Sequence, residues 1–142
     1  MTTLVSAATQ ALVAALQAAP AVAPQVARVR LRPLGAATTT AVVVRPQSAE
    51  VVARTMAGPK SWTCRIAVEC YAKTNTATAP DAAVDALLAS AYARLMADAT
   101  LAGSVARIEP EAIAYDFDVD GDSTACATIV FSVTQFSPPN AL

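Results

Sequence analysis

The sequence predicts an α+β domain, with two helices packed on one face of a mainly antiparallel sheet of roughly five strands. Three observations predict it. Between Ser61 and Tyr71 every even position (Trp62, Cys64, Ile66, Val68, Cys70) is apolar, while Thr63, Arg65 and Glu69 point the other way. That is the period of a strand with one buried face. After Thr78-Ala-Pro-Asp81, the residues Val84, Leu87, Leu88, Ala91, Leu95 and Ala99 recur at helical spacing. Two further alternating runs, Glu111 to Asp122 and Thr124 to Phe136, then meet at an Asp-Gly turn. At 142 residues the chain is long enough for one domain with a genuine core, and 1–142 is read as that domain.

The elements follow in order. Leu4, Val5, Ala8, Leu12 and Leu16 form one stripe of a first helix from about Thr2 to Ala19, stopped by Pro20 and Pro24. The same stretch ends in Ala21-Val-Ala23, like a leader cleavage site. No Lys or Arg precedes it, however, and Thr9, Gln10 and Gln17 interrupt it, so the helix is the better reading. No run is long and apolar enough to be read as a membrane span.

Gln25 to Arg32 reads as a short strand with Val29 and Leu31 on one face and an arginine stripe, Arg28, Arg30 and Arg32, on the other. Pro33-Leu-Gly35 turns the chain into a second strand from Thr39 to Arg45. Residues 47–60 have no settled period and end in Gly58-Pro59, so they read as an exposed loop. Its Val51, Val52 and Met56 are unusually apolar for solvated chain, which suits a segment that orders against a neighbour.

The second helix has Thr78 as a candidate N-cap with Asp81 three residues on, and Asp85, Arg94 and Asp98 facing water. Gly103 closes this region. In the final hairpin Ile113, Tyr115, Phe117 and Val119 share one face, as do Ala125, Ala127, Ile129, Phe131 and Val133. A two-residue turn at Asp120-Gly121 would put these apolar faces on opposite sides of the sheet. A three-residue loop, Asp120-Gly121-Asp122, or an adjacent bulge puts them on the same side and pairs Tyr115 with Ala127. Residues 137–142 read as a mobile tail.

The order Trp62-Thr-Cys-Arg-Ile66-Ala-Val68, Pro80-Asp81 helix, Tyr92-Ala-Arg-Leu-Met96-Ala-Asp98, Tyr115-Asp-Phe-Asp118 and final strand resembles the lambda-type tail terminator proteins of long-tailed bacteriophages. The resemblance covers about the last half of the chain and rests on the succession of elements. It implies a non-catalytic viral structural protein, assembled in the host cytoplasm and located in the virion tail. It also implies a homo-oligomeric ring, usually a hexamer, that caps the tail tube, stops its growth and offers the head-joining surface. The implied partners are other copies of the chain, the tail tube protein and a head–tail connector protein. A neck or tail-completion protein is the nearer alternative, and a secreted cation-binding domain the farther one.

The residues give little support to catalysis. There is no His, so the commonest general base and metal ligand are absent. Ser48 and Ser61 therefore lack a triad partner, and no glycine-rich phosphate loop is present. Cys64 and Cys70 lie on one strand, about 20 Å apart at strand rise, too far for a disulfide. All three cysteines read as buried apolar residues. Asp116, Asp118, Asp120 and Asp122 open like a calcium-binding EF-hand loop, but Ala127 stands where the bidentate Glu belongs and the flanks are strands. No metal or cofactor is expected. The net charge of −1 also argues against a dedicated nucleic-acid binder. The arginine stripe and the Asp hairpin are instead candidate interface residues, the stripe of one subunit meeting the hairpin of the next.

Overall fold

The computed structural model describes residues 2–29, 39–53, 58–73, 79–119 and 124–142. The elements are helix α1 (Leu4–Gln17), strands β1 (Gln25–Arg28), β2 (Thr40–Ala53) and β3 (Lys60–Lys73), helix α2 (Pro80–Met96), and strands β4 (Arg107–Val119) and β5 (Thr124–Ser137). The five strands form one sheet in the order β1-β2-β3-β5-β4. Only β1 and β2 are parallel; every other pairing is antiparallel. The predicted α+β class and strand number hold.

Both helices pack on one face. Leu4, Ala8, Leu12 and Leu16 of α1 and Val84, Leu88, Ala91 and Leu95 of α2 join Val42, Val44, Ile66, Val68, Ile129, Phe131 and Val133 of the sheet in a single core. The apolar stripe of α2 is therefore core, as its spacing predicts. The N-terminal apolar run is likewise a core helix. It starts at Leu4 because the Thr3 hydroxyl accepts from the Ser6 N–H at 3.2 Å. The N-cap of α2 falls on Ala79, which offers no capping oxygen, and Thr78 lies outside the described residues. Pro80 in the first turn compensates, since its missing N–H needs no partner there.

The segment 47–60 is not a loop over most of its length. β2 continues through Pro46 to Ala53, where Ser48 to Ala53 pair with Arg65 to Ser61 of β3. The register shifts between Pro46 and Ser48, and again between Val51 and Ala53. Each bulge inserts one residue and reverses the alternation, which is why the sequence shows no settled period there. β3 also departs from the one-faced pattern: Ala67 and Glu69, on the side away from the helices, are buried too. It is the central strand, flanked on both sides, so neighbouring side chains cover it on the helix-free face as well.

Arg94 does not simply face water. Its guanidinium donates to the carbonyls of Ala15 (3.2 Å), Ala18 (2.6 Å) and Pro20 (2.6 Å), closing the C-terminus of α1. Past α2, Leu101, Ala102 and Gly103 all have positive φ, and the Asp98 carboxylate ties this turn by accepting from the N–H groups of Thr100 (2.9 Å) and Ala102 (2.7 Å). Ser137 belongs to β5 rather than to a loose tail; it is buried, and its hydroxyl accepts from the Trp62 indole N–H at 2.8 Å.

Candidate functional site

The edge strand β4 carries the most unusual surface. Ile113, Tyr115 and Phe117 are 52%, 49% and 53% exposed, although their alternation reads as a buried face. The register is the predicted one: Tyr115 pairs with Ala127 and Asp116 with Cys126, with a bulge between Asp116 and Val119. The two apolar faces thus lie on the same side of the sheet. Only that of β5 is covered, because α2 sits mainly over β3 and β5 and touches β4 only along its margin. Asp120, Gly121 and Asp122 lie outside the described residues.

What remains is a groove of about 420 Å³ between α2 and β4, lined by Asp85, Leu88, Ala89, Tyr92, Pro110, Ile113, Tyr115 and Ile129. The Tyr115 ring stacks on Phe117, with centroids 6.3 Å apart and planes at 15°. Its hydroxyl donates to Asp85 across the groove at 3.1 Å, and this bond to a carboxylate pushes Tyr115 ionisation up. Tyr92, on α2, is exposed on the opposite wall. Among the described residues, apolar surface of this size flanked by carboxylates is the strongest candidate for contact with another protein.

The helix-free face of the sheet is different in kind. Arg45 pairs with Glu69 at 2.7 Å, and the Tyr71 hydroxyl donates to the other Glu69 oxygen at 2.8 Å. Burial, then this bond, raises Tyr71 ionisation strongly. Arg65 meets both oxygens of Glu111 at 3.0 and 3.1 Å and reaches Glu50 at 3.4 Å. Arg107 pairs with Glu109. These groups satisfy one another, so this face is a polar lattice that stabilises the sheet locally, not a row of groups awaiting a ligand.

The sequence-predicted interface residues scatter. Arg28 ends β1 and donates to the Ser6 hydroxyl of α1 at 2.8 Å. It lies in register with core-lining Val44, on the helix side of the sheet. The described strand ends at Arg28, and Val29 after it has φ of 53°. Arg30, Arg32 and Met56 lie outside the described residues, as do Asp120, Asp122 and the side chain of Asp118. Val51 is half-buried in β2 opposite Trp62, and Val52 is exposed. Asp116 is exposed on the helix-free side, opposite Cys126. Tyr92, Ile113 and Tyr115 of the groove, and Phe117 beside Tyr115, escaped sequence reasoning as a surface, since the period of β4 carries no mark of whether a helix covers it.

The three cysteines are free and buried, with Cys126 on the face opposite Cys64 and Cys70. Burial raises the pKa of each, and that of Cys70 to about 12. Among the described residues no cluster of His, Cys, Asp or Glu could hold a metal ion, and no helix is long and apolar enough to cross a membrane.

No family model matches the sequence, and no curated protein matches it. Among solved structures, the fold is similar to that of a chain in the structure titled "Virion of native gene transfer agent (GTA) particle", with a TM-score of 0.58 and 13% identity. The likeness spans 91% of this chain and 94% of the other. At that identity it is a likeness of fold, and it extends over nearly the whole length of both proteins.

Proposed function

We propose that this chain is a structural protein of a phage-like particle and acts as its tail terminator. In this reading copies of the chain form a ring, six being the expected number, that seats on the last ring of the tail tube. The ring ends polymerisation and presents its other face to a head–tail connector protein. The observation that carries the proposal is the near full-length fold likeness to a virion chain of a gene transfer agent. The order of the Trp62 strand, Pro80 helix and final hairpin supports it, as does an edge strand that leaves Ile113, Tyr115 and Phe117 exposed. The role is non-catalytic: the chain has no His, and its described carboxylates are spread over α2, the strands and the turn after α2.

End-capping is a matter of surfaces. A cap must complement the tube end on one face and lack, on the other, whatever a further tube ring needs. The test is to add the purified protein to the tail tube protein of the same particle during tube growth. Electron microscopy should then show shorter tubes, each with a ring at one end. Tubes of unchanged length with bare ends would overturn the terminator role. Binding to the connector but not to the tube would reassign the chain to the neck.

A further inference from the structure

The outer edge of β4 is closed at its start and open farther along. The Ala106 N–H donates to the Thr134 carbonyl at 3.0 Å, so the backbone of Thr134 is turned toward β4. β5 pairs with β3 without a register shift, so every second residue, Ser132, Val130, Thr128 and Cys126, is turned the same way. Their partners on β4 are Glu109, Ala112, Ala114 and Asp116, whose backbone groups therefore face β5. Ile108, Pro110, Ile113 and Tyr115 fall between them and turn their backbone groups away from the sheet. The first two are closed: the Ile108 N–H donates to the Ala99 carbonyl at 3.0 Å, and Pro110 has no N–H. Ile113 and Tyr115 have no backbone partner on that side among the described residues.

The open stretch is a window with fixed ends. Pro110 bounds it on one side and the bulge between Asp116 and Val119 on the other. All of residues 111–117 are exposed, so the strand is bare on both faces as well as along its edge. Unpaired backbone groups flanked by exposed apolar side chains are a template for a further strand. The opposite edge of the sheet is a poor match for it, since β1 has four residues and its outward Val26 carbonyl already accepts from the Gln17 side-chain amide at 3.0 Å. The window does match itself. Laid antiparallel about Ala114, Ile113 of one copy meets Tyr115 of the other, so both open positions of each copy are used and each such pair exchanges two backbone bonds. Ala114 then faces Ala114, and Asp116 faces Ala112, so no carboxylate opposes another. Glu111, next to Ala112, is drawn back across β5 by Arg65, from which it accepts at 3.0 and 3.1 Å.

We propose that free copies of this chain pair through the open window of β4, antiparallel and centred on Ala114, so that one sheet runs through both. The contact is isologous, the same patch on each copy, and it is an edge contact made by backbone groups. The Ile113–Tyr115 pairs supply cross-strand apolar contact, and the closed positions at Ile108 and Pro110 keep the register from sliding toward the start of β4. This pairing goes beyond the tail-terminator reading and does not rest on it, because it needs no tube.

Sedimentation equilibrium of the purified full chain, with two kinds of variant, tests it. The parent should be a concentration-dependent dimer. Ile113→Pro removes an outward N–H that β5 does not use, and it should dimerise roughly tenfold more weakly or worse, since each copy loses a donor. Circular dichroism and thermal melts establish that it folds. Cysteines placed at exposed positions read the register directly, because the native thiols are free and buried. Ala114→Cys should form a disulfide-linked dimer under mild oxidation, since the two positions face each other across the axis. Ala112→Cys and Asp116→Cys should each crosslink poorly alone and readily when mixed. A parent that stays monomeric at its highest soluble concentration overturns the proposal. So does a dimer in which Ala114→Cys does not crosslink, or one that a folded Ile113→Pro leaves unweakened, since the contact then lies elsewhere. Crosslinking of Ala114→Cys to a different virion protein, with the parent monomeric, would give the edge to that protein and overturn the pairing of copies. The virion role stands or falls separately, on the tube experiment.

Discussion

Arg94 of α2 donates to the carbonyl oxygen of Pro20 at 2.6 Å, 74 residues away in sequence. The same guanidinium reaches Ala18 and Ala15, so three carbonyls at and beyond the end of α1 share one cation. α1 has no basic residue in its last turn, and its C-terminal dipole is met by the neighbouring helix instead. This clasp joins the two helices that roof the core.

Arg94→Met keeps much of the stem's packing but removes the donors. It should cost about 2 kcal/mol, the range for hydrogen bonds to a charged group. Urea unfolding checks this, and Arg94→Lys should recover only part of the loss, because a single ammonium cannot span the three acceptors. An Arg94→Met protein as stable as the parent would show that water serves these carbonyls equally well.

Two phenylalanines on the same side of the sheet should behave oppositely. Phe131 is fully buried beneath the helices, and Phe131→Ala should cost about 3–5 kcal/mol. Phe117 is half exposed on β4, and Phe117→Ser should change stability by no more than about 0.5 kcal/mol. Denaturant unfolding of both variants measures the contrast. Similar losses at both positions would mean that β4 is covered in the monomer.

Asp98 should give the protein a small, identifiable acid sensitivity. Its carboxylate accepts first from the Thr100 N–H, then from that of Ala102 and the Thr100 hydroxyl, and these bonds hold its pKa below the ordinary 3.8. A folded value below the unfolded one means the contribution is complete above the unfolded value and is lost as pH falls through the folded one. Asp98→Asn should therefore be less stable than the parent at neutral pH, and the gap should close below about pH 4. Thermal melts across pH 2–7 measure it; a gap independent of pH would assign the loss to shape rather than charge.

The thiols should be silent until the protein unfolds. Cys64 and Cys70 are fully buried and Cys126 nearly so, and burial holds all three in the protonated, unreactive form. A chromogenic disulfide reagent at pH 8 should titrate essentially no thiol in the native protein and all three in denaturant. Rapid native reaction at one thiol would reveal local opening of the β3–β5 pairing.

Some of this architecture was legible because it depends on period alone. The alternation through Ile66 and Val68, the stripe from Val84 to Leu95, and the conflict of faces at the Asp-Gly turn determined the strands, the core side of α2 and the pairing of Tyr115 with Ala127. The candidate site was not legible in the same way. Period tells which residues share a face but not what lies above that face. The exposure of Ile113, Tyr115 and Phe117 was decided by β4 taking the edge of the sheet and by α2 settling over β3 and β5. Likewise, two bulges hid the second half of β2, since each shift by one residue cancels the alternation that marks a strand. The sequence by itself determined the class of fold and the helix and strand inventory. Only the tertiary structure decided that β4 stands at a sheet edge with its aromatic residues exposed and that Arg94 closes α1, because both depend on which elements become neighbours.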